Sequence, residues 1–231
     1  MSSYSDPMTT APDNKPRTAL LAGATGLVGS ALLTLLRASP RYRHVDVLLR
    51  RAVPGLTNEA RLTTHAIDYA QLPEPLPAVD DVFIALGTTI KVAGSEAAFR
   101  RVDFDHVVGV ARAARAAGAT RLAVVSALGA DPASRMFYNR VKGEMQAAVS
   151  QLGYASVVFA QPSLLIGDRA SLGQPVRAGE VWAAKLLGPV MALVPRSVRP
   201  IRAVDLAAAL LDATLNPRPG VRLLSSGDMQ R

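Results

Sequence analysis

A tyrosine and a lysine, Tyr138 and Lys142, lie four residues apart in the stretch SRMFYNRVKGEM. If the stretch is a helix, this spacing places both side chains on one face, one turn apart. A tyrosine phenol can donate or accept a proton, and a nearby lysine ammonium favours its tyrosinate form. The spacing is typical of an acid/base pair, but it also occurs on ordinary helix surfaces. The pair is therefore informative only if the rest of the chain builds a site around it.

The composition narrows the class of protein. The chain has 231 residues, of which 49% are hydrophobic, as is typical of a globular domain with a core of its own. It has no cysteine, and its three histidines are far apart in sequence, so we expect neither a disulfide nor a metal site. The net charge of +8 comes mostly from scattered arginines without interleaved aromatic residues, so we expect no nucleic-acid partner.

The N-terminal residues and the lengths of the apolar segments indicate where the protein is located in the cell. Residues 1–16 are polar and contain prolines, without the apolar centre of a signal peptide, and we predict a flexible tail there. The sequence has no uninterrupted run of about 20 apolar residues, so we expect no membrane span. These features favour a cytoplasmic protein in which residues 17–231 form one domain.

Short apolar segments alternate with segments of helical spacing from Thr18 onward. The predicted strands are TALLAG, HVDVLLR, RLTTHAID, DVFIAL, RLAVVSA, ASVVFAQP and VRLLSS. The predicted helices are 27–39, 96–117, 134–152 and 204–215. This alternation predicts an α/β fold of the Rossmann type, a doubly wound parallel sheet with helices on both faces. The region of about 163–200 lacks a clear strand and is long for a connection, so we predict a small C-terminal substrate cap.

Three glycines, Gly23, Gly26 and Gly29, follow the first predicted strand and open the first helix. In a dinucleotide site such glycines permit the tight turn, let the backbone approach a pyrophosphate, and let the helix pack closely on the sheet. The pyrophosphate binds the free N–H groups at the positive end of the helix dipole. The alternative is a tight turn that binds nothing. The predicted contact residues of this turn are Gly23, Thr25, Gly26, Leu27 and Val28.

The end of the second predicted strand indicates which dinucleotide is bound. NAD-binding proteins usually carry Asp or Glu there, because the carboxylate bonds the ribose 2′-hydroxyl. This chain carries Arg50 and Arg51 instead, and Asp46 comes too early. Because a guanidinium pairs with the 2′-phosphate of NADP and stacks on adenine, we predict NADP(H), with a solvated sheet edge as the alternative. Asp68, after the third strand, is predicted to accept a hydrogen bond from the adenine amino group.

The candidate acid/base pair belongs to the same edge of the sheet as the glycine turn. Ser126 ends the fifth predicted strand, and Tyr138 and Lys142 lie on the helix that follows. Ligands of such sheets bind outside the carboxyl ends of the strands. We therefore expect Ser126, Tyr138 and Lys142 to converge near the predicted cofactor.

The glycine turn, Ser126 and the Tyr138-x-x-x-Lys142 spacing, in this order, resemble the short-chain dehydrogenase/reductase superfamily. The strings FIALGTTIKVAGSEAAFRRVD, VSALGAD, FYNRVKGE and RAGEVW resemble its atypical branch, which includes the Tat-interacting oxidoreductase of animals and bacterial NAD(P)H-binding relatives. The resemblance implies that Tyr138 moves a proton, that Lys142 bonds the nicotinamide ribose and that Ser126 holds the substrate oxygen. It also implies that Leu86, Gly87 and Thr88 line the adenosine side and that Pro162 and Ser163 flank the nicotinamide.

These features together predict an NADP(H)-dependent oxidoreductase that acts on a small carbonyl or alcohol substrate as a monomer or homodimer. One alternative is an NADP(H)-binding sensor or protein-interaction module with little turnover. Another is a nucleotide-sugar epimerase or dehydratase, which is disfavoured because only about 40 residues are available for a substrate domain. The chain departs from many relatives at Ser126, which is followed by Ala127 and not by a second hydroxyl residue.

Overall fold

The computed structural model describes residues 15–167 and 195–230 of the chain. Its strands are β1 (Arg17–Ala22), β2 (Tyr42–Leu49), β3 (Leu62–Ala66), β4 (Asp81–Ile84), β5 (Arg121–Val125), β6 (Ser156–Gln161), β7 (Leu165–Ile166), β8 (Ile201–Arg202) and β9 (Gly220–Ser225). Its α-helices are α1 (Leu27–Ala38), α2 (Ile90–Ala93), α3 (Glu96–Arg100), α4 (Val107–Ala116), α5 (Phe137–Ser150) and α6 (Ala203–Leu215). A π-helical turn (Arg101–His106) joins α3 to α4, and a 3₁₀ turn (Arg196–Val198) precedes β8.

Seven strands form one parallel sheet in the order β3-β2-β1-β4-β5-β6-β9. The order reverses between β1 and β4, which opens a crevice at the carboxyl ends of these two strands. This arrangement confirms the predicted Rossmann-type fold. In parallel strands covered on both faces, nearly every position is apolar, which is why all six residues of β1 are buried.

Helices cover the sheet on both faces, and adjacent residues of β1 point to opposite cores. Leu21 belongs to the core that α1 and α6 close with Leu32 and Leu206. Leu20 belongs to the second core, which α4 and α5 close with residues such as Val110 and Met145. In the part of the chain that the structure describes, no helix is long and apolar enough to cross a membrane.

The structure differs from the sequence prediction at three places. The helix predicted over 96–117 is interrupted by the π-helical turn, and the helix predicted to begin at residue 134 begins at Phe137. In the predicted cap, β7 pairs with β8 as a short parallel ladder, so the expectation that region 163–200 has no strand is wrong. Most of that cap, residues 168–194, lies outside the described residues, as does most of the predicted tail.

Candidate active site

The glycine turn has the close contacts that the sequence predicts. Gly23 has a φ of +92°, and a Cβ there would lie 2.6 Å from the carbonyl carbon of Ala85, just after β4. A Cβ on Gly29 would lie 2.6 Å from the carbonyl carbon of Gly23 and closer still to its oxygen. These two positions therefore admit only glycine, and they bring the start of α1 against the crevice between β1 and β4.

The N-terminus of α1 offers backbone groups to a ligand. Gly26 caps the helix without a side-chain hydrogen bond, and the first turn carries no acidic residue. Thr25 is exposed, whereas the side chains of Leu27 and Val28 are buried in the core, so only their backbone can face a ligand. The first N–H groups of a helix have no partner within it, and together with the helix dipole they favour an anion. The turn thus fits the pyrophosphate of a dinucleotide.

Two residues that the sequence analysis missed, Tyr69 and His106, pack beside the glycine turn. The hydroxyl of Tyr69 donates a 2.9 Å hydrogen bond to the Leu48 carbonyl at the end of β2, and the backbone of Gly23 hydrogen-bonds the same hydroxyl. The His106 ring stacks on Tyr69 with centroids 5.5 Å apart and planes inclined by 26°. Burial lowers the pKa of His106 below its ordinary value, although the nearby carboxylates of Asp105 and Asp68 oppose the shift.

The residues predicted to select NADP lie at the same edge. Arg50 and Arg51 follow β2 and are exposed, and Asp68 follows β3 and is exposed. Asp68 raises the pKa of His106 and Arg50 lowers it, so both charges act on the same ring. One oxygen of Asp68 accepts a 2.8 Å hydrogen bond from the Ala70 amide, which fixes the orientation of the carboxylate. The exposed guanidinium of Arg50 is accessible to a phosphate. The selection of NADP by Arg50 and Arg51 stays a prediction.

Helix α5 is held against the loop before it by Gly143. A Cβ on Gly143 would lie 2.5 Å from the amide nitrogen of Asp131 and closer still to other backbone atoms of Asp131 and Pro132. The Asp131 amide donates a 3.1 Å hydrogen bond to the Asn139 carbonyl in the first turn of α5. This contact sets the depth at which α5 presents Tyr138 and Lys142 to the sheet edge.

Lys142 is buried and paired, which is unusual for a lysine. Its side chain is 4% exposed, and its Nζ lies 2.7 Å from Oδ1 of Asp103, itself 1% exposed, on the π-helical turn. The other oxygen of Asp103 accepts a 2.9 Å hydrogen bond from the Thr88 amide. Gly87 lies against both groups, since a Cβ there would be 3.3 Å from Asp103 Oδ1 and 3.8 Å from Lys142 Nζ. The loop after β4, predicted to line the adenosine side, therefore also contacts the pair.

Tyr138 lies one turn before Lys142 on α5 and is half-buried. Its ring packs on Phe99 of α3 with centroids 5.3 Å apart and planes inclined by 39°. Phe99 is fully buried and also packs on Phe137. The aromatic cluster fixes the phenol ring at the helix start, and the predicted spacing of Tyr138 and Lys142 is realised on a helix.

Ser126 is buried, and its hydroxyl oxygen accepts a hydrogen bond from a side chain of α5. Its Oγ accepts a 2.6 Å hydrogen bond from Nε2 of Gln146, which lies one turn after Lys142. The Oε1 of Gln146 in turn accepts a 3.4 Å hydrogen bond from Gln161 at the end of β6. Accepting this bond leaves the Ser126 O–H to donate to another acceptor, and Ala127 offers no second hydroxyl beside it. The role of Ser126 toward a substrate stays a prediction.

The loop after β6 is held by the C-terminal segment. The Pro162 carbonyl accepts a 3.0 Å hydrogen bond from the Leu128 amide, which ties this loop to the one after β5. The Ser163 amide donates to Oγ of Ser226 at 2.9 Å, and the Ser163 hydroxyl donates to the Arg199 carbonyl at 2.7 Å. The two residues predicted to flank a nicotinamide are thereby positioned at the edge that carries Ser126.

Comparison with known proteins bears on this site. The family described as NAD(P)H-binding matches residues 23–162. The protein named FMP52, mitochondrial, of Coccidioides immitis is 33% identical over 165 residues, 66% of this chain and 67% of the relative. Its namesake in Emericella nidulans is 35% identical over 177 residues, 74% of this chain and 76% of the relative. The solved structure of MoeE5 with UDP-glucose and NAD has a TM-score of 0.67 at 18% identity, covering 90% of this chain and 75% of MoeE5.

These comparisons correct one expectation and leave two others open. The expectation of a cytoplasmic protein is wrong, because the matched relatives, including one from Eremothecium gossypii, are named mitochondrial. The resemblance to the Tat-interacting branch is not confirmed, since these relatives carry the name FMP52. The choice of NADP over NAD stays a prediction. The family match runs from Gly23 through Pro162 and covers more than half of the sequence, so the chain belongs to the NAD(P)H-binding family.

Proposed function

We propose that the protein is an NADP(H)-dependent oxidoreductase that interconverts a small carbonyl compound and its alcohol. The observation that carries the proposal is the burial of Lys142 against Asp103, one turn from Tyr138 on α5. A lysine on an ordinary helix surface extends into water, because burying an ammonium is costly unless a partner compensates it. Burial with a dedicated partner at the carboxyl edge of the sheet favours the acid/base interpretation over the surface interpretation.

The cofactor would be held by groups that the structure brings to this edge. The first N–H groups of α1 would bind the pyrophosphate, and Arg50 would meet the 2′-phosphate. Lys142 would donate to the nicotinamide ribose, and the loop that carries Pro162 and Ser163 would flank the ring. Bound NADPH would supply the hydride. Tyr138 would deliver the proton to the substrate oxygen in reduction and remove it in oxidation.

Four exposed apolar side chains lie close in sequence to predicted site residues, and they are our reason for proposing an apolar substrate. Four of the large hydrophobic residues that the described chain exposes lie on α2 or within two positions of a predicted site residue. They are Ile90, Val92, Leu128 and Met136. Apolar patches on a protein surface commonly mark binding sites. We therefore expect a carbonyl compound with an apolar body, such as an aliphatic or aromatic aldehyde or ketone.

A cofactor-binding sensor with little turnover is the second candidate, and one observation favours it. The hydroxyl of Ser126 already accepts a hydrogen bond from Gln146, and Ala127 follows it. Accepting the bond from Gln146 leaves the Ser126 O–H to donate, but Ala127 adds no second hydroxyl, so the substrate oxygen has one donor fewer than in many relatives. A sensor would bind NADPH with full affinity and would turn over no carbonyl compound.

Cofactor binding is tested by titrating the purified protein with NADPH and with NADH, following the nucleotide fluorescence. We expect NADPH to bind more tightly, and Arg50→Ala to weaken NADPH by about 10–100-fold while NADH changes little. Arg43→Ala is the matched control, because Arg43 is an exposed arginine at the other end of β2. Equal affinity for the two nucleotides in the wild type would exclude NADP selectivity.

Turnover is tested by following NADPH oxidation with a panel of aldehydes and ketones of graded apolar size. Because epimerisation leaves no net change in the nucleotide, UDP-glucose is tested separately by analysis of the sugar product. We expect reduction of apolar carbonyl compounds, and a loss of at least about 100-fold in Tyr138→Phe with NADPH affinity unchanged. Tight NADPH binding without turnover of any compound would exclude the enzyme and leave the sensor.

A further inference from the structure

Asp103 is a buried carboxylate to which the proposed proton and hydride transfer assigns no role. It is 0% exposed, and its two oxygens meet the ammonium of Lys142 at 2.7 Å and the backbone amide of Thr88 at 2.9 Å. A buried carboxylate is stable only with partners of this kind. The contact joins the π-helical turn to α5 and to the loop after β4, so three separate segments meet at this one side chain.

The backbone that carries Asp103 is itself unusual. Residues Arg101–His106 form a π-helical turn between α3 and α4. Such turns are rare, and they occur frequently at functional sites. The turn also carries His106, which packs under the glycine turn through Tyr69. One irregular turn therefore supplies a supporting contact to each half of the candidate site.

We propose that Asp103 is a positioning residue that holds the Lys142 ammonium in place and cancels most of its charge. The proposal rests on the oxidoreductase function proposed above. Lys142 then acts at the site chiefly as a correctly placed hydrogen-bond donor, and it contributes little net positive field to Tyr138. This differs from the expectation drawn from the sequence, in which the nearby Lys142 ammonium favours the tyrosinate form.

The first consequence concerns the accessibility of the Lys142 amine, which can be measured without any cofactor. A lysine buried in an ion pair reacts slowly with amine reagents, because the nitrogen is both protonated and inaccessible. Replacing the carboxylate by an amide of the same shape removes the charge that holds the ammonium but keeps an acceptor for the Thr88 amide. We therefore expect the Lys142 amine in Asp103→Asn to become accessible to solvent more often, while the side chain stays one turn from Tyr138 on α5.

The labelling experiment uses formaldehyde and cyanoborohydride on the purified protein, with the extent of methylation read by mass spectrometry. Lys91, exposed on α2, is the internal reference. We expect Lys142 to react at least several-fold faster in Asp103→Asn than in the wild type. Asp105→Asn is the matched control, since it removes a charge from an exposed position of the same turn, and it should leave Lys142 protected.

The second consequence concerns charge and is read from the pH profile of turnover. Removing the carboxylate leaves Lys142 with its full positive charge beside Tyr138. The proton-accepting form of the site is then favoured, so the acid limb of alcohol oxidation should move by about one pH unit toward lower pH. Asp105→Asn should not move it. A purely structural role for Asp103 would lower the rate without moving this limb.

Gly87→Ala tests the position of the Asp103 carboxylate without removing its charge. It also replaces Asp103→Asn as the test if that variant does not fold. Its methyl group would press on Asp103 at 3.3 Å and leave both charges present. We expect faster labelling of Lys142 in this variant and an unmoved pH profile. Unchanged labelling in the variants that fold, or an acid limb that stays in place in Asp103→Asn, overturns the proposal. If no compound is turned over at all, the proposed function fails, and the labelling alone decides the role of Asp103.

Discussion

Gly143→Ala is the substitution for which the structure makes the sharpest prediction. The added Cβ would lie 2.5 Å from the Asp131 amide nitrogen and closer to neighbouring backbone atoms, whereas ordinary contacts begin at 3.4 Å. Since the obstruction is backbone and not a flexible side chain, either the loop or α5 must move by at least about 1 Å. The hydrogen bond from Asp131 to the Asn139 carbonyl would be stretched by the same movement.

Two opposing effects set the magnitude of the change in stability. Alanine is favoured over glycine inside a helix by about 1 kcal/mol. Overpacking against a rigid neighbour costs about 1–3 kcal/mol and occasionally more. Because several backbone atoms obstruct the new methyl group, we take about 3 kcal/mol for the overlap, which leaves a net loss of about 2 kcal/mol. For a chain of this length that corresponds to a Tm about 4–8 °C lower.

Gly109→Ala is the matched control on α4. A Cβ there would meet only Cδ1 of Leu72 at 3.6 Å, an ordinary contact. The helix preference should then act alone and stabilise the protein by about 0.5–1 kcal/mol. The measurement is urea unfolding of the wild type and both variants. If Gly143→Ala were as stable as the wild type, the close approach of α5 to its loop would not constrain the fold, and the reasoning would be wrong.

The same substitution should also impair the site. Gly143 follows Lys142 directly, and a displacement of about 1 Å in a catalytic group can cost about 100-fold in rate. We expect NADPH oxidation by Gly143→Ala to fall by about that factor, with Gly109→Ala unchanged. A fully active Gly143→Ala would show that the position of α5 tolerates this movement.

Three further substitutions test other contacts. Gly29→Ala should abolish NADPH binding, because its Cβ would overlap the Gly23 carbonyl; binding within about twofold of the wild type in a titration would contradict this. Ser226→Ala leaves the Ser163 amide without its acceptor and should cost about 1–3 kcal/mol in urea unfolding and weaken NADPH binding. Burial lowers the pKa of His106, so the contribution of the neutral ring to stability is present above the ordinary histidine pKa and is lost as the pH falls through the lowered value. We therefore expect the free energy of unfolding to depend less on pH between pH 7.5 and 5 in His106→Gln than in the wild type. An unchanged pH dependence would refute this.

Much of the fold was predictable because its signals are local. Strands such as β5 and β6 are nearly continuous apolar runs, and a strand buried on both faces needs no other feature. The glycine turn was predictable because Gly23 and Gly29 are required by contacts within a few residues or with the neighbouring strand. The alternation of strands and helices then leaves few topologies, and the right-handed crossover rule selects among them.

The interruption of the helix predicted over 96–117 was not predictable from its pattern. Ala and Arg at helical spacing favour α-helix throughout this stretch, and no glycine or proline marks a break in it before residue 109. The π-helical turn places Asp103 in the buried position beside Lys142. Tertiary contacts decide the local geometry here, and the only available signal was an aspartate among apolar positions of a predicted helix.

Three of the residues that sequence analysis missed share one property, which is that each holds a residue that the analysis found. Asp103 holds Lys142, Gln146 holds Ser126, and Ser226 holds Ser163. A motif reports residues whose type is fixed by the ligand, whereas a supporting residue is fixed by whatever side chain the fold brings near it. For Ser163 and Ser226 that partner is 63 positions away. Chemistry at this edge therefore depends on contacts outside the motif. A chain that keeps Tyr138 and Lys142 but loses Asp103 should still bind cofactor and should transfer the proton with an altered pH dependence.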